Sequence, residues 1–138
     1  MELHNVGSQA LILNLGIMLA NGREQYPNRI RLQLTEPSSR LLHLEMTGPG
    51  AIGGRVDPMV VPLPANATFA LLIDLEHYCA PSEKVWKLNL TSGHYTLRAE
   101  YTGAGVSQQA TNLDMKGVTL MPYWTGTVES SIVSFTVK

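Results

Sequence analysis

Charge is scarce in this chain. Only 15% of its 138 residues are charged, and ten Lys and Arg against eleven Asp and Glu leave a formal net charge of -1. No block of like charge occurs, which excludes the electrostatic footprint of a nucleic-acid binder or a polybasic membrane-surface protein. Cysteine is nearly absent. Cys79 alone can form neither an internal disulfide nor a structural zinc site. Long hydrophobic runs are missing too: the longest, Ala10 to Ala20, is broken by Asn14 and Gly16 and falls well short of the ~20 residues that span a bilayer. Membrane insertion is therefore not expected. Glu2 stands where a signal peptide would carry Lys or Arg. The expected compartment is the cytoplasm, or the periplasm or exterior if a signal peptide has been removed.

Catalytic signatures are equally sparse. The chain holds no G-x-S-x-G elbow, S-x-x-K, G-x-x-x-x-G-K-[ST] or H-E-x-x-H. Gly48-Pro49-Gly50-Ala51-Ile52-Gly53-Gly54 lacks the strand-then-helix context of a phosphate cradle and reads as a surface loop. Asp74-Leu75-Glu76-His77, on a strand, would send the two carboxylates to one face and the imidazole to the other, so no metal site is expected there. Asp57 has no D-x-D-x-D neighbours for calcium. Cys79 lacks the closely following His and Met of a copper site and reads as an inert, partly buried thiol. The expectation is a protein that is not an enzyme, with no metal and no cofactor. Asn66-Ala67-Thr68 and Asn89-Leu90-Thr91 match the glycosylation sequon, a triplet that arises often by chance.

What is present is a period of two. Ile30, Leu32 and Leu34 alternate with Arg29, Arg31 and Gln33, and Leu42, Leu44 and Met46 with His43 and Glu45. Phe69, Leu71, Ile73 and Leu75 share a face opposite Asp74 and Glu76. Tyr95, Leu97, Ala99 and Tyr101 alternate with Thr96, Arg98 and Glu100, and Val133, Phe135 and Val137 with Ser134 and Thr136. Each run reads as a strand with one buried and one wet face. Segment 10–20 fits strand and helix periodicities alike; Gly16 and Asn14 disfavour the helix, so a long strand is expected. Turn signals separate the runs at Asn21-Gly22, Glu36-Pro37-Ser38-Ser39, Gly48-Pro49-Gly50, Pro62-Leu63-Pro64, Ser92-Gly93 and Thr125-Gly126. The expectation is one all-β domain over residues 1–138, an antiparallel sandwich of about seven to nine strands. Two irregular stretches, 47–57 and 103–125, stand out as long loops.

Leu90-Thr91-Ser92-Gly93-His94-Tyr95-Thr96-Leu97-Arg98-Ala99-Glu100-Tyr101 resembles the penultimate strand of immunoglobulin-like and fibronectin-type sandwiches, and Trp124-Thr125-Gly126-Thr127-Val128-Glu129-Ser130-Ser131 through Val137 is similar to the last strand of bacterial domains of that kind. The resemblance implies an immunoglobulin-like sandwich in which Tyr95 packs its ring in the core and caps backbone with its hydroxyl, after a turn at Gly93. Antibody-type families are not implied, because the cysteine pair is missing.

Four aromatics stand at loops: Tyr123 and Trp124 at the end of 103–125, and Tyr78 and Trp86 near another loop. Exposed together, they would form a platform for a glycan or a protein partner; alternatively, Trp124 closes the core beneath the last strand. The leading expectation is a non-enzymatic binding module presenting loops 47–57 and 103–125 on a rigid sandwich. Further alternatives are a chagasin-type proteinase inhibitor, a carbohydrate-binding accessory domain, and a homo-oligomer joined through an edge strand.

Overall fold

The computed structural model describes residues 1–50, 52, 54–105 and 122–138. They form antiparallel sheets joined by turns and single 3-10 turns. In chain order the strands are β1 (Glu2–His4), β2 (Leu11–Leu19), β3 (Glu24–Tyr26), β4 (Ile30–Thr35), β5 (Leu41–Met46), β6 (Asp57–Leu63), β7 (Thr68–Ala70), β8 (Tyr78–Cys79), β9 (Gly93–Gly103), β10 (Gly126–Glu129) and β11 (Val133–Val137). The larger layer has the order β10–β9–β4–β5–β8, with β11 on the same side of β9 as β10. The smaller layer is β3–β2–β6, and β1 pairs with β7 as a separate ribbon.

The apolar faces read from the sequence for β2, β4, β5 and β9 meet between these layers, joined by that of β6. Ile30, Leu32, Leu34, Leu42, Leu44, Tyr95 and Tyr101 come from the larger layer, and Leu13, Leu15, Met59, Val61 and Leu63 from the smaller; all are buried in one cluster. The Tyr101 hydroxyl crosses the gap and donates to the carbonyl of Asn14, at 3.1 Å. Burial of these side chains is the main stabilising term, at roughly 25 cal/mol per Å² of apolar surface.

Segment 10–20 is a strand, with a register shift between Asn14 and Ile17. Gly16 sits in that shift at φ +151, and a Cβ there would run into the carbonyl of Tyr26, so only glycine lets β2 pass so close to the neighbouring backbone.

Two expectations are corrected. The run Phe69–Leu75 keeps its alternation, with Phe69, Leu71, Ile73 and Leu75 half-buried, but among the described residues its pairing goes no further than Leu71, which exchanges hydrogen bonds with Met1 at 2.9 Å beyond the β1–β7 ladder. Beyond it the chain turns through a 3-10 turn at Leu75–His77, where the Asp74 side chain caps the amide of Glu76 at 3.0 Å. Conversely, Pro62-Leu63-Pro64 is no turn at its start: Asp57–Leu63 is a strand, with Met59, Val61 and Leu63 buried and Pro58 and Pro62 exposed. Its place at the edge of the smaller layer explains this, because a proline nitrogen on the open side deprives no ladder of a donor. The turn falls at Pro64–Ala67 instead, where the amide of Ala67 bonds the carbonyl of Pro64 at 3.1 Å.

Candidate binding groove

The larger layer is wider than the one facing it, and along the β10 side the two layers part. A groove of about 560 Å³ opens there, within the range of ligand pockets. Leu11, Leu13 and Leu63 of the smaller layer and Ala99 and Tyr101 of the larger form its floor. One wall is the N-terminal segment, with Leu3 and Val6; the other is β10, with Val128 and Glu129, and Ser130 just after it. Val6 is 83% exposed and Val128 47%, so each rim carries an apolar side chain that nothing described covers.

The N-terminal wall is held by Asn5, a polar residue buried at 4% exposure. Its Nδ2 donates to the carbonyls of Gln9, Leu63 and Pro64 at 2.8, 3.0 and 3.1 Å, and its Oδ1 accepts from the amide of Gly7 at 3.0 Å. The Asn5 amide also donates to the carbonyl of Ala67 at 3.0 Å. Sequence reasoning missed Asn5 and this wall. The available signal was Asn5-Val6-Gly7-Ser8, the composition of an Asx turn.

Trp124 closes one end of the groove. It is half-buried, its amide donates to the carbonyl of Ile12 at 2.8 Å, and its indole stacks on Tyr101 with centroids 5.6 Å apart. Two glycines make the slot for the ring: a Cβ on Gly103 would meet the Trp124 carbonyl and lie 2.5 Å from Cε3, and one on Gly126 would lie 3.0 Å from Cζ2. The core-closing alternative for Trp124 therefore describes its contacts, while one part of the residue also lines the groove. Tyr123 is half-buried beside it.

The four aromatics do not form one platform. Tyr78 is 2% exposed; β8 pairs with Glu45 and Met46 at the far edge of the larger layer and turns the ring into the core. Its hydroxyl has no hydrogen-bond partner among the described residues, and burial pushes its pKa up to about 12. Trp86 is 72% exposed but follows the Ala80–Val85 bridge beside β8. Strands β5, β4 and β9 separate it from β10.

Tyr95, at 2% exposure, stacks on Phe135 with centroids 5.4 Å apart and donates from its hydroxyl to the carbonyl of Thr91 at 2.9 Å. Gly93 lies at φ +156, where a Cβ would strike the Pro37 ring, so the β4–β5 turn packs directly on its backbone.

Both long loops leave one end of the molecule. Strands β5 and β9 both run antiparallel to β4, so Met46 and Gly103 end on the same side. There Pro49, Gly50, Ile52 and Arg55 meet the turn from Leu19 to Tyr26 around a second cleft of about 430 Å³. Of loop 103–125, residues 106–121 lie outside the described residues.

Among the described residues no three His, Cys, Asp or Glu side chains gather as a metal site. Asp57 is engaged by Arg55, Nε to Oδ1 2.7 Å, and Cys79 is buried with its sulfur 3.7 Å from the carbonyl of Glu45. Glu83 accepts a contact from His43 Nδ1 at 2.9 Å, and that hydrogen bond holds its carboxyl below the usual carboxylate range. This pair lies on the outer face, away from the groove. The groove's acidic and basic side chains are Glu2, His4 and Glu129, the last paired with Arg98 at 2.9 Å. Its largely apolar floor supplies desolvation and shape. Compared with known proteins, the chain matches no family model, no curated relative and no solved structure.

Proposed function

We propose that this chain is a non-enzymatic binding module of immunoglobulin-like architecture that takes apolar side chains of a protein partner into the groove between its N-terminal segment and β10. The carrying observation is the groove itself: an apolar floor of Leu11, Leu13, Leu63, Ala99 and Tyr101, rimmed by exposed Val6 and Val128. Exposed apolar surface bounded by polar residues is the mark of an interaction site on a water-borne protein. The immunoglobulin-like reading is supported by the order β10/β11–β9–β4–β5 facing a layer that contains β2 and β6, and by the Tyr95 hydroxyl closing the corner before β9. A glycan platform is less well supported, since Trp124 spends a ring face on Tyr101 and Tyr78 is buried.

The test is binding of a neutral apolar dye, Nile red, followed by fluorescence. The Ala99→Leu variant fills the floor and Val6→Lys charges the rim, and each is expected to weaken binding at least about tenfold, a 1.4 kcal/mol effect. Dye affinity unchanged in both variants would overturn the assignment. A second reading, proteinase inhibition of the chagasin type, is favoured by loops 47–57 and 103–125 leaving one end of the sheet. Measurable inhibition of papain or subtilisin by the intact chain would support it, and none at a large molar excess would sink it.

A further inference from the structure

The turn between β3 and β4 is tied down by its own backbone. The amide of Asn28 donates to the carbonyl of Tyr26 at 2.8 Å, and that of Ile30 to the carbonyl of Pro27 at 3.0 Å. Arg29 is bound to both layers at once: its amide donates to the carbonyl of Leu15 at 3.1 Å, and its carbonyl accepts from the amide of Thr102 at 3.3 Å. Beside it β2 shifts register between Asn14 and Ile17, an irregularity that re-aims side chains out of the ladder pattern. A cleft of about 360 Å³ lies between this turn, the shift in β2 and the start of β6, with Asn14, Gly16, Asn28, Arg29 and Asp57 in its lining. It shares no lining residue with the groove.

Donors gather in this cleft without acceptors. Arg31, Arg55 and Arg98 are each paired with a carboxylate, and Arg40 reaches the carbonyl of Glu83. The half-buried Arg29 has no such partner for its guanidinium among the described residues. The Oδ1 of Asn14 accepts from the amide of Gly16 at 3.1 Å. The Oδ1 of Asn28 is turned toward β2, where a Cβ on Gly16 would lie 2.7 Å from it. With both oxygens directed to the backbone of β2, the NH2 group is what each asparagine has left to offer. The acid in the lining, Asp57, is engaged by Arg55, Oδ1 to Nε 2.7 Å. A half-buried guanidinium and amide donors without acceptors carry a desolvation cost, which an anion in the cleft offsets.

We propose that this cleft is a carboxylate-binding site, in which the Arg29 guanidinium holds the carboxylate and Asn14 and Asn28 donate to it from their NH2 groups. One unpaired cation balances one negative charge, and Asp57 nearby opposes a second, so a carboxylate is favoured over a dianionic phosphate. The tied backbone of Arg29 sets the base of its side chain before any ligand arrives, which lowers the cost of binding. The carboxylate is that of a free acid or of an acidic peptide side chain, and two probes separate these sources. The inference is independent of what the groove binds.

The test is titration of the intact chain with acetate at constant ionic strength, followed by the NMR shifts of its backbone and side-chain NH groups. Saturable shifts are expected at Gly16, Asn28 and Arg29 and at the NH2 groups of Asn14 and Asn28, and none with acetamide, the neutral counterpart. Arg29→Gln, which keeps the backbone bonds of the turn, is expected to weaken acetate binding at least about tenfold. The same change at Arg23, an exposed arginine, is expected to leave it unchanged. Inorganic phosphate is expected to bind no more tightly than acetate. Tighter binding of N-acetyl-aspartic acid α-amide than of acetate assigns the site to an acidic side chain, and equal or weaker binding to a free acid. Shifts that do not saturate, shifts that acetamide reproduces, acetate binding indifferent to Arg29→Gln, or a preference for phosphate would each overturn the proposal.

Discussion

A glycine with no turn to make is the most informative residue in the chain. Gly103 ends β9 in ordinary extended backbone, yet a Cβ there would collide with the indole and carbonyl of Trp124. Gly103→Ala is therefore expected to lower stability by about 2 kcal/mol, as overpacking of a filled site does, and to move Trp124 off Tyr101. Urea unfolding and near-ultraviolet dichroism measure the two effects. Gly105→Ala, whose Cβ would lie an ordinary 3.5 Å from Thr125 Cγ2, serves as the neutral control. Tyr78 presents the opposite case: its ring fills the core while its hydroxyl has no described partner. Tyr78→Phe removes an unsatisfied buried group, so stability at neutral pH is expected to stay level or rise by about 1 kcal/mol. The pH dependence follows from its raised pKa. Because the folded value is about 12 against an ordinary 10, the wild type keeps this contribution below pH 10 and loses it as pH climbs from 10 through 12. The phenylalanine variant lacks that component, and thermal melts at pH 7 and 11 should show a smaller difference for it.

At the scale of the element, proline decides what the edges do. In β6, Met59, Val61 and Leu63 face inward while Pro58 and Pro62 face outward, and the strand was illegible in the sequence because proline normally marks a turn. An edge position reverses that meaning: the missing donors close the strand to further pairing. Pro62→Val is expected to change monomer stability by no more than about 1 kcal/mol while increasing aggregation on heating, read by light scattering. Aggregation equal to wild type would show that the proline is not protective. The Phe69–Leu75 stretch teaches the complementary lesson. Its alternation correctly reported which side chains face inward, since burial needs only extended backbone, but it said nothing of pairing, which depends on which strand lies alongside.

For the whole molecule, the arrangement of layers predicts the order in which it opens. Strand β4 lies between β5 and β9, and β9 between β4 and the β10–β11 edge; their inward residues include Ile30, Leu32, Leu34, Tyr95 and Tyr101, all 3% exposed or less. Local opening spares the segments with most buried contacts. Hydrogen exchange is accordingly expected to be slowest for the inward-bonded amides of β4 and β9 and faster by orders of magnitude in the β1–β7 ribbon. Equal protection in both would mean that the ribbon is as integral to the fold as the two layers.

The sequence by itself determined which side of β4, β5, β9 and β11 is apolar and favoured an extended segment 10–20, because these depend on neighbours two residues apart and on Gly16 and Asn14; the corner at Gly93 and Tyr95 came from the resemblance to immunoglobulin-like strands. Only the tertiary structure decided that Tyr78 is interior, that Trp86 lies across the sheet from Trp124, and that Asn5 holds a wall of the groove. Those outcomes depend on strand order and on one layer being wider than the other, and both arise from contacts between residues dozens of positions apart, which no local pattern records.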